Sequence, residues 1–362
     1  MRLEDRRILF DGTHFAWDVG WTFFQMLAVE LAARNEVVYL DRPVSFVRGR
    51  PSVSAPLAER PSLRVLRVPT MPAQRTEALR RAGAALAARG ARRFAAKAGW
   101  DPDLVWATSP RAALLLDAFP QAQSVYWTGD DVTIPGEDVL LRRADAILCV
   151  SDPVFERHRA AQGERAHFMP VACDFDRYNA ARDAAPDPLP ELAGAPRPYV
   201  GYVGFVGVRL DLELLAETAG ALGGGTLLVA GPAHGVDRAD LAKLAALPNV
   251  VVLGGQPPGR VPQLMGALDA GLIPYVDTAF NRNSNPVKFY EYLALGVPVV
   301  STEIPTLRRF EGVASVGRRE TFVERLRATL RAQPDGLEGR RIEIARDHSF
   351  AALLRRLEAV PA

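Results

Sequence analysis

The order of apolar runs along the chain constrains its fold more than any other feature. Up to residue 150, short apolar runs alternate with segments that carry apolar residues at helical spacing. The predicted strands are residues 7–12, 36–40, 63–68, 104–107, 124–127 and 146–150. Strands that are separated by helices join as parallel neighbours, so this order predicts a parallel sheet covered by helices on both faces.

The alternation stops once and then resumes. Residues 174–198 hold five prolines and little periodicity, which indicates a linker. Further strands are predicted at residues 199–203, 226–230, 250–253, 270–274 and 297–301. We therefore predict an α/β chain with two doubly wound Rossmann-like domains facing each other across a cleft. The predicted segments are an N-terminal domain 1–173, the linker 174–198, a C-terminal domain 199–340 and a C-terminal helix 341–362, whose packing back on the N-terminal domain stays open.

Composition excludes several classes of protein. The formal net charge of +2 argues against a nucleic-acid partner. Cys149 and Cys173 are the only cysteines, so the sequence has neither a disulfide framework nor zinc spacing, and we expect no metal. The start of the chain is charged where a signal peptide is apolar, and no apolar run approaches the ~20 residues of a membrane span. We expect a cytoplasmic protein.

The most informative segment is 281–302, since P-loop, GxGxxG, HExxH and GxSxG motifs are all missing from the sequence. Asn285 and Pro286 predict a helix start, with the asparagine as cap, and Gly296 predicts its end. The N-terminus of a helix attracts phosphate. Lys288 in the first turn adds a positive charge there, and Glu291 lies on the same helix face, where it could accept hydrogen bonds from ribose hydroxyls.

The stretch EYLALGVPVV resembles the donor-site motif of the GT-B glycosyltransferases, specifically the retaining family 4 (group 1) enzymes. In that family two glutamates lie eight residues apart, and the second is followed by glycine and Pro-Val-Val at the spacing seen here from Glu291. The resemblance implies that Glu291 binds the nucleotide ribose. The position of the first glutamate holds Asn283, whose amide can bond a sugar hydroxyl but carries no charge.

The stretch GYVGFVGVRLD resembles the glycine loop of the same family. Gly204 and Gly207 let a ligand approach the backbone, and Arg209 takes the place of a diphosphate-binding arginine. The family's partner lysine is replaced by Leu214, so Lys288 would supply the missing charge. The donor-binding residues implied by the resemblance are Gly204, Gly207, Arg209, Asn283, Ser284, Asn285, Lys288 and Glu291.

Two stretches of the N-terminal half extend the resemblance. Residues 11–32 are similar to the acceptor-side loop and first helix of a subgroup that makes surface polysaccharides or glycosylated metabolites, and YWTGDD is similar to a strand end near the donor sugar. The implied acceptor-binding residues are His14, Trp17, Gly20 and Trp21, and the implied catalytic residues are Asp130, Asp131, Arg209 and Lys288. Both aspartates could instead cap the helix that follows, and both tryptophans could pack in the core.

These features predict a hexosyltransferase-type enzyme that moves a sugar from a nucleotide-diphosphate sugar to a glycan, a glycolipid or a secondary metabolite. We expect retention of anomeric configuration, no metal and no cofactor, and we expect a UDP-sugar before other donors. Two alternatives stay open. One is a non-catalytic subunit that binds a nucleotide sugar or a partner, suggested by Asn283 and Leu214. The other is a nucleotide-sugar epimerase on the same scaffold.

Residues 75–97 form a predicted basic amphipathic helix with seven cations and one glutamate. Its cations could simply face water in an arginine-rich protein. Alternatively, they could hold the protein against the anionic inner face of a membrane, where each basic residue contributes about 1 kcal/mol.

Overall fold

The computed structural model describes residues 1–13, 17, 22–42, 44–45, 52–54, 60–70, 76–129, 136–183, 189–332 and 336–361. The chain divides into two compact units. Unit 1 comprises Met1–Pro170 and Leu353–Ala362, and unit 2 comprises Val171–Ala352. Five residues singled out from the sequence lie outside the described ranges, namely His14, Gly20, Trp21, Asp130 and Asp131.

Unit 1 is built on an eight-stranded sheet with the order β10-β9-β8-β7-β1-β2-β5-β4. All neighbours in it are parallel except the antiparallel pair β4 and β5. Its strands are β1 (Arg7–Asp11), β2 (Glu36–Leu40), β4 (Ser52–Val53), β5 (Leu63–Arg67), β7 (Leu104–Ala107), β8 (Gln123–Trp127), β9 (Ala146–Cys149) and β10 (Ala166–Phe168). A separate parallel pair is formed by β3 (Val44–Ser45) and β6 (Pro69–Thr70).

Helices cover both faces of this sheet, as the alternation predicts. They are α1 (Phe23–Leu31), α2 (Glu77–Ala98), α3 (Ala113–Ala118), α4 (Glu137–Arg143) and α5 (Asp152–Gln162). The small side chains of Ala87, Ala91 and Ala95 allow α2 to pack closely in the core cluster on one face.

A row of aromatic rings crosses the strands β2, β1, β7 and β8 of unit 1. The rings of Tyr39, Phe10, Trp106 and Trp127 stack in that order, with centroids 5.7, 5.7 and 6.0 Å apart. Strand register explains the row, because Phe10 lies opposite both Tyr39 and Trp106. All four rings are at most 1% exposed, so the row forms a continuous part of the core.

Unit 2 is built on a six-stranded parallel sheet. Its strands are β11 (Tyr199–Val203), β12 (Thr226–Ala230), β13 (Val250–Leu253), β14 (Ala270–Ile273), β15 (Val299–Thr302) and β16 (Ser315–Gly317). Their order is β13-β12-β11-β14-β15-β16, so the direction of winding reverses between β11 and β14. Open α/β sheets bind ligands at the carboxyl ends of their strands at such a reversal.

The helices of unit 2 include one in the predicted linker. They are α6 (Phe175–Asp183), α7 (Leu212–Ala221), α8 (Arg238–Ala245), α9 (Val261–Gly266), α10 (Ala279–Arg282), α11 (Val287–Ala294), α12 (Phe322–Arg331) and α13 (Leu337–Asp347), and α14 (Phe350–Glu358) crosses the division between the units. The helix α6 forms because the prolines of 174–198 begin only at Pro186, while Phe175 and Tyr178 share one buried face. Within the described ranges, no helix combines the length and apolar character of a membrane-crossing segment.

Candidate functional site

The two cations expected at the donor site come together in unit 2, where the sheet reverses its winding. Arg209 follows β11, Lys288 lies in the first turn of α11, and both contact Tyr275, which follows β14. The Lys288 ammonium donates a hydrogen bond to the Tyr275 hydroxyl at 2.9 Å. The guanidinium carbon of Arg209 lies 5.6 Å from the centroid of the Tyr275 ring. One tyrosine therefore links both candidate phosphate-binding side chains.

Lys288 is partly buried against the strand ends. Its nitrogen lies 4.9 Å from the ring centroid of Tyr202, at the end of β11. A Cβ added to Gly204 would stand 2.7 Å from Cε of Lys288, and Gly204 has φ +150°, so a side chain there would meet both a clash and a strained backbone. Glycine at 204 therefore leaves room for the lysine at the strand end.

The charge of Lys288 is maintained by its neighbours. Burial alone would lower the pKa of the ammonium, but the hydroxyls of Tyr202 and Tyr275 outweigh burial and raise it above the ordinary value. Burial would raise the pKa of the Tyr275 phenol, yet Lys288 and Arg209 together lower it. Lys288 is consequently positive at neutral pH and can attract an anion to the strand ends.

The backbone of Arg209 is fixed by the segment that follows β14. The Arg209 carbonyl accepts hydrogen bonds from the Val276 N–H at 2.9 Å and from the Asn281 side-chain amide at 3.3 Å. The guanidinium lies over the ring of Phe280, with its carbon 4.0 Å from the ring centroid. Gly207, the other predicted loop glycine, accepts the Leu210 N–H at 3.0 Å and so forms the turn that leads to Arg209.

Glu291 lies on the same helix as Lys288, and its carboxylate accepts a hydrogen bond from Tyr178 of α6. Burial raises the pKa of this carboxyl, while the Tyr178 hydroxyl and the Lys288 charge act against the rise. The net effect is a pKa above the ordinary glutamate value. Tyr178 was not predicted as a site residue, because it falls in the stretch interpreted as a linker.

The residues between α10 and α11 differ from expectation in one respect. The predicted cap Asn285 lies one residue before the N-cap position, which Pro286 takes, so α11 begins one residue later than expected. The Asn285 side-chain oxygen accepts a hydrogen bond from the Tyr290 hydroxyl at 3.0 Å. The Ser284 hydroxyl is buried and donates to the Asn281 carbonyl at 2.8 Å. The Asn283 amide donates to the Ala279 carbonyl at 2.7 Å. Roles for Asn283, Ser284 and Asn285 toward a donor remain predictions.

Leu214 takes the position where the resembling family has a lysine, and it is fully buried on α7. Its N–H donates to the side chain of the helix cap, Asp211, at 2.8 Å. A charged side chain at 214 would therefore enter the core of unit 2. That Lys288 supplies the second positive charge at the donor site remains a prediction.

In unit 1, polar residues gather at the carboxyl ends of β1 and β2. Asp11, which is 1% exposed, accepts hydrogen bonds from the hydroxyls of Thr13 at 2.6 Å and Ser109 at 2.9 Å. Asp41 accepts from the Trp17 N–H at 2.8 Å, and the Trp17 ring lies edge-on to Tyr39, with centroids 4.8 Å apart. Neither aspartate was predicted as a site residue, although each directly ends an apolar run.

Among the residues that the structure describes, no group of three or more His, Cys, Asp or Glu side chains is arranged to hold a metal ion. Both cysteines are buried and unpaired.

Comparison with known proteins relates the C-terminal part of the chain to a family of glycosyltransferases. Residues 197–331 match the family model "Glycosyl transferases group 1". TuaH of Bacillus subtilis (strain 168), named as a teichuronic acid biosynthesis glycosyltransferase, is 29% identical over 175 residues, which are 48% of this chain and 44% of TuaH. The match thus spans less than half the length of that relative.

Solved structures resemble nearly the whole chain. Sucrose-phosphate synthase from Thermosynechococcus elongatus has a TM-score of 0.74 at 16% identity, and 98% of each chain is covered. HepE from Anabaena, solved in complex with UDP and glucose, has a TM-score of 0.69 at 15% identity, again with 98% of each chain covered. The resemblance noted in the sequence is supported: residues 197–331 are similar to the group 1 glycosyl transferases, and the chain has the GT-B fold of these solved structures.

Proposed function

We propose that the protein transfers a sugar from a nucleoside-diphosphate sugar to a hydroxyl group of an acceptor. The observation that carries this proposal is the pair of cations, Arg209 and Lys288, that converge on Tyr275 where the sheet reverses its winding. In the reaction the bond from the anomeric carbon to the diphosphate breaks, and the acceptor oxygen bonds to that carbon and loses its proton. Negative charge grows on the leaving diphosphate, and preorganised cations stabilise it.

The other parts of the donor have candidate partners in the same unit. Glu291 would accept hydrogen bonds from the ribose hydroxyls, and Gly204, Gly207 and the segment Asn283–Asn285 would line the diphosphate and sugar. A UDP-sugar is the first donor to test, since HepE was solved with UDP and glucose. We also propose retention of configuration and transfer without a metal, with Asp130 and Asp131 near the donor sugar and His14, Trp17, Gly20 and Trp21 on the acceptor side.

The first experiment is a calorimetric titration of the purified protein with UDP, GDP, dTDP and ADP. We expect one of them to bind selectively. Lys288→Gln should then weaken its binding at least tenfold, because a charge-assisted bond to phosphate is lost. The matched control is Lys243→Gln, since Lys243 is exposed on α8 and pairs only with a neighbour on that helix, Asp240. Absence of binding to the folded protein, or equal binding by both variants, would contradict the proposal.

A second candidate, a non-catalytic nucleotide-sugar-binding subunit, is favoured by one observation. Asn283 replaces the expected glutamate, and its amide is already bonded within its own turn to Ala279. A screen of nucleotide sugars and acceptors distinguishes the two candidates. Product formation by the single purified chain supports the enzyme, whereas nucleotide binding without product from any acceptor supports the subunit.

We further propose that α2 holds the protein at an anionic membrane surface on the cytoplasmic side, where a lipid-linked acceptor would be reached. Three exposed cations, Arg89, Arg93 and Lys97, recur every four residues and line one helix face, opposite the buried alanines. At about 1 kcal/mol per cation near an anionic surface, three contribute roughly 3 kcal/mol.

Sedimentation with vesicles tests this contact. The protein should bind vesicles of phosphatidylserine and phosphatidylcholine more tightly than phosphatidylcholine alone, and 0.5 M salt should release it. Changing the three cations to glutamine should abolish binding. The charge-matched control changes Arg238, Lys243 and Arg327, which are exposed on unit 2. Equal binding by the two triple variants would exclude α2 as the contact.

A further inference from the structure

We infer that Phe280 is a positioning residue that holds the Arg209 guanidinium in the orientation needed to meet the diphosphate. This inference rests on the proposed function. Phe280 is among the few large apolar side chains in the described ranges that remain exposed, at 40% of its surface. Its ring lies 4.0 Å from the guanidinium carbon of Arg209, well within the distance at which an aromatic face attracts a cation.

The contact restrains the guanidinium at the far end of a long side chain whose backbone is held separately. The Arg209 backbone is fixed by Val276 and by the Asn281 amide, which also donates to the Val276 carbonyl at 2.8 Å. Between this anchor and the guanidinium lie several rotatable bonds, each of which must be ordered before a bidentate contact with phosphate can form. A planar guanidinium stacked on an aromatic ring is already ordered, so less entropy is lost when the anion binds.

The position of Phe280 gives this exposed aromatic ring a structural role. It lies on the short helix α10, between Asn281, which holds the Arg209 backbone, and the end of β14. The same segment thus supports Arg209 at two points, the carbonyl through Asn281 and the guanidinium through Phe280. Tyr275 contributes a second ring, at 5.6 Å from the guanidinium carbon.

The test distinguishes an aromatic ring at position 280, which attracts a cation, from an aliphatic side chain, which does not. The probe is whichever of UDP, GDP, dTDP and ADP binds most tightly, and the readout is its Kd by calorimetry. Phe280→Leu should raise Kd roughly two- to fivefold, the value of an exposed cation–π contact. Phe280→Tyr and Phe280→Trp should keep Kd within twofold of the native protein. Phe94→Leu, a change of the same type on α2 of unit 1, serves as the control and should leave Kd unchanged.

A double-mutant cycle then shows whether Phe280 acts through Arg209. In an Arg209→Gln background, Phe280→Leu should have no further effect on Kd, because the cation that it positions is gone. An effect of full size in that background means direct contact with the ligand and overturns the inference. Loss of affinity in the tyrosine and tryptophan variants equal to that in the leucine variant also overturns it.

The outcomes separate this inference from the proposed function. If the native protein binds no nucleoside diphosphate, the proposed function and the role of Phe280 are both rejected. If the native protein binds one, and Lys288→Gln weakens the binding while Phe280→Leu does not, the donor site stands and only the role of Phe280 is rejected. Because Phe280 is partly exposed, its variants should melt within a few degrees of the native protein, which confirms that they fold.

Discussion

At the scale of single residues, Glu291 combines two properties that oppose each other. As a proposed ribose ligand it should be an ionised acceptor, yet burial raises the pKa of its carboxyl in the folded protein. An acid whose folded pKa exceeds its unfolded pKa destabilises the fold progressively as pH rises from the unfolded value through the folded one. The Tyr178 hydroxyl and Lys288 compensate only part of this cost.

Glu291→Gln should therefore separate stability from binding. The amide keeps an acceptor for the Tyr178 hydroxyl but cannot ionise, so the variant should gain thermal stability relative to the native protein as pH rises from 5 to 8. Its affinity for the bound nucleoside diphosphate should fall about tenfold, because a bond to a charged acceptor is lost. Thermal melts at several pH values and calorimetry check both. A melting-temperature difference that is constant with pH, or unchanged affinity, would contradict this account.

Which site residues could be predicted depended on how distinctive each was in the sequence. Lys288 and Glu291 were singled out because lysine is rare here and the two lie three apart on a helix with a family-like motif. Tyr202, Tyr275 and Phe280 were missed. An aromatic residue at a strand end is indistinguishable from a core residue in sequence, and only the pairing of β11 with β14 brings the two tyrosines to the same lysine.

At the scale of elements, the long buried strands were predicted with bounds at most two residues off, while the shortest were missed. Central strands such as β12, in which all five residues are buried, form nearly continuous apolar runs in the sequence and are therefore easy to predict. The strands β4 and β10 have two and three residues at the sheet edges and depend on their neighbours for hydrogen bonds. In helix α5, Ser151 at the N-cap position and Pro153 in the first turn mark the start.

Within α5, His158 should make unit 1 sensitive to acid. Burial, with a smaller contribution from Arg157, lowers the pKa of this imidazole to about 4. The folded state therefore keeps His158 neutral while the unfolded chain takes up a proton near pH 6.5, so stability is lost as pH falls from 6.5 to 4. The loss attributable to this residue is up to about 3 kcal/mol.

His158→Gln removes the titrating group and tests this dependence. The difference in free energy of unfolding between variant and native protein, from urea titrations at pH 7.5, 5.5 and 4.5, should shift in favour of the variant as the pH falls. If both proteins lose stability in parallel, the acid sensitivity arises elsewhere, for instance from carboxylates.

At the scale of the whole molecule, unit 1 contains both ends of the described chain. The Met1 ammonium donates a hydrogen bond to the Glu358 carbonyl at 3.0 Å, and Leu353, Leu357 and Val360 are buried. The packing of the last helix could not be predicted from the sequence, because periodicity shows which face of a helix is apolar but not which surface covers it.

Leu357→Ala should destabilise unit 1 by about 2–5 kcal/mol, since this side chain is fully buried in α14. The control is Leu354→Ala, three residues earlier on the same helix and only partly buried, for which a smaller loss is expected. Hydrogen exchange followed by mass spectrometry should show faster exchange in β1 and β2 for Leu357→Ala. Equal loss in the two variants would contradict the placement of Leu357 on the buried face of α14 and of Leu354 at its margin.

The aromatic row of unit 1 has an optical consequence. All five tryptophans precede residue 130, and two of them, Trp106 and Trp127, stack within the row with centroids 6.0 Å apart. Coupled indoles at that separation contribute to near-ultraviolet circular dichroism. Unit 2 contains no tryptophan, so indole emission comes from unit 1 alone. Phe280→Trp would therefore give unit 2 a single fluorophore in contact with Arg209, and its emission would report the arrival of a diphosphate directly.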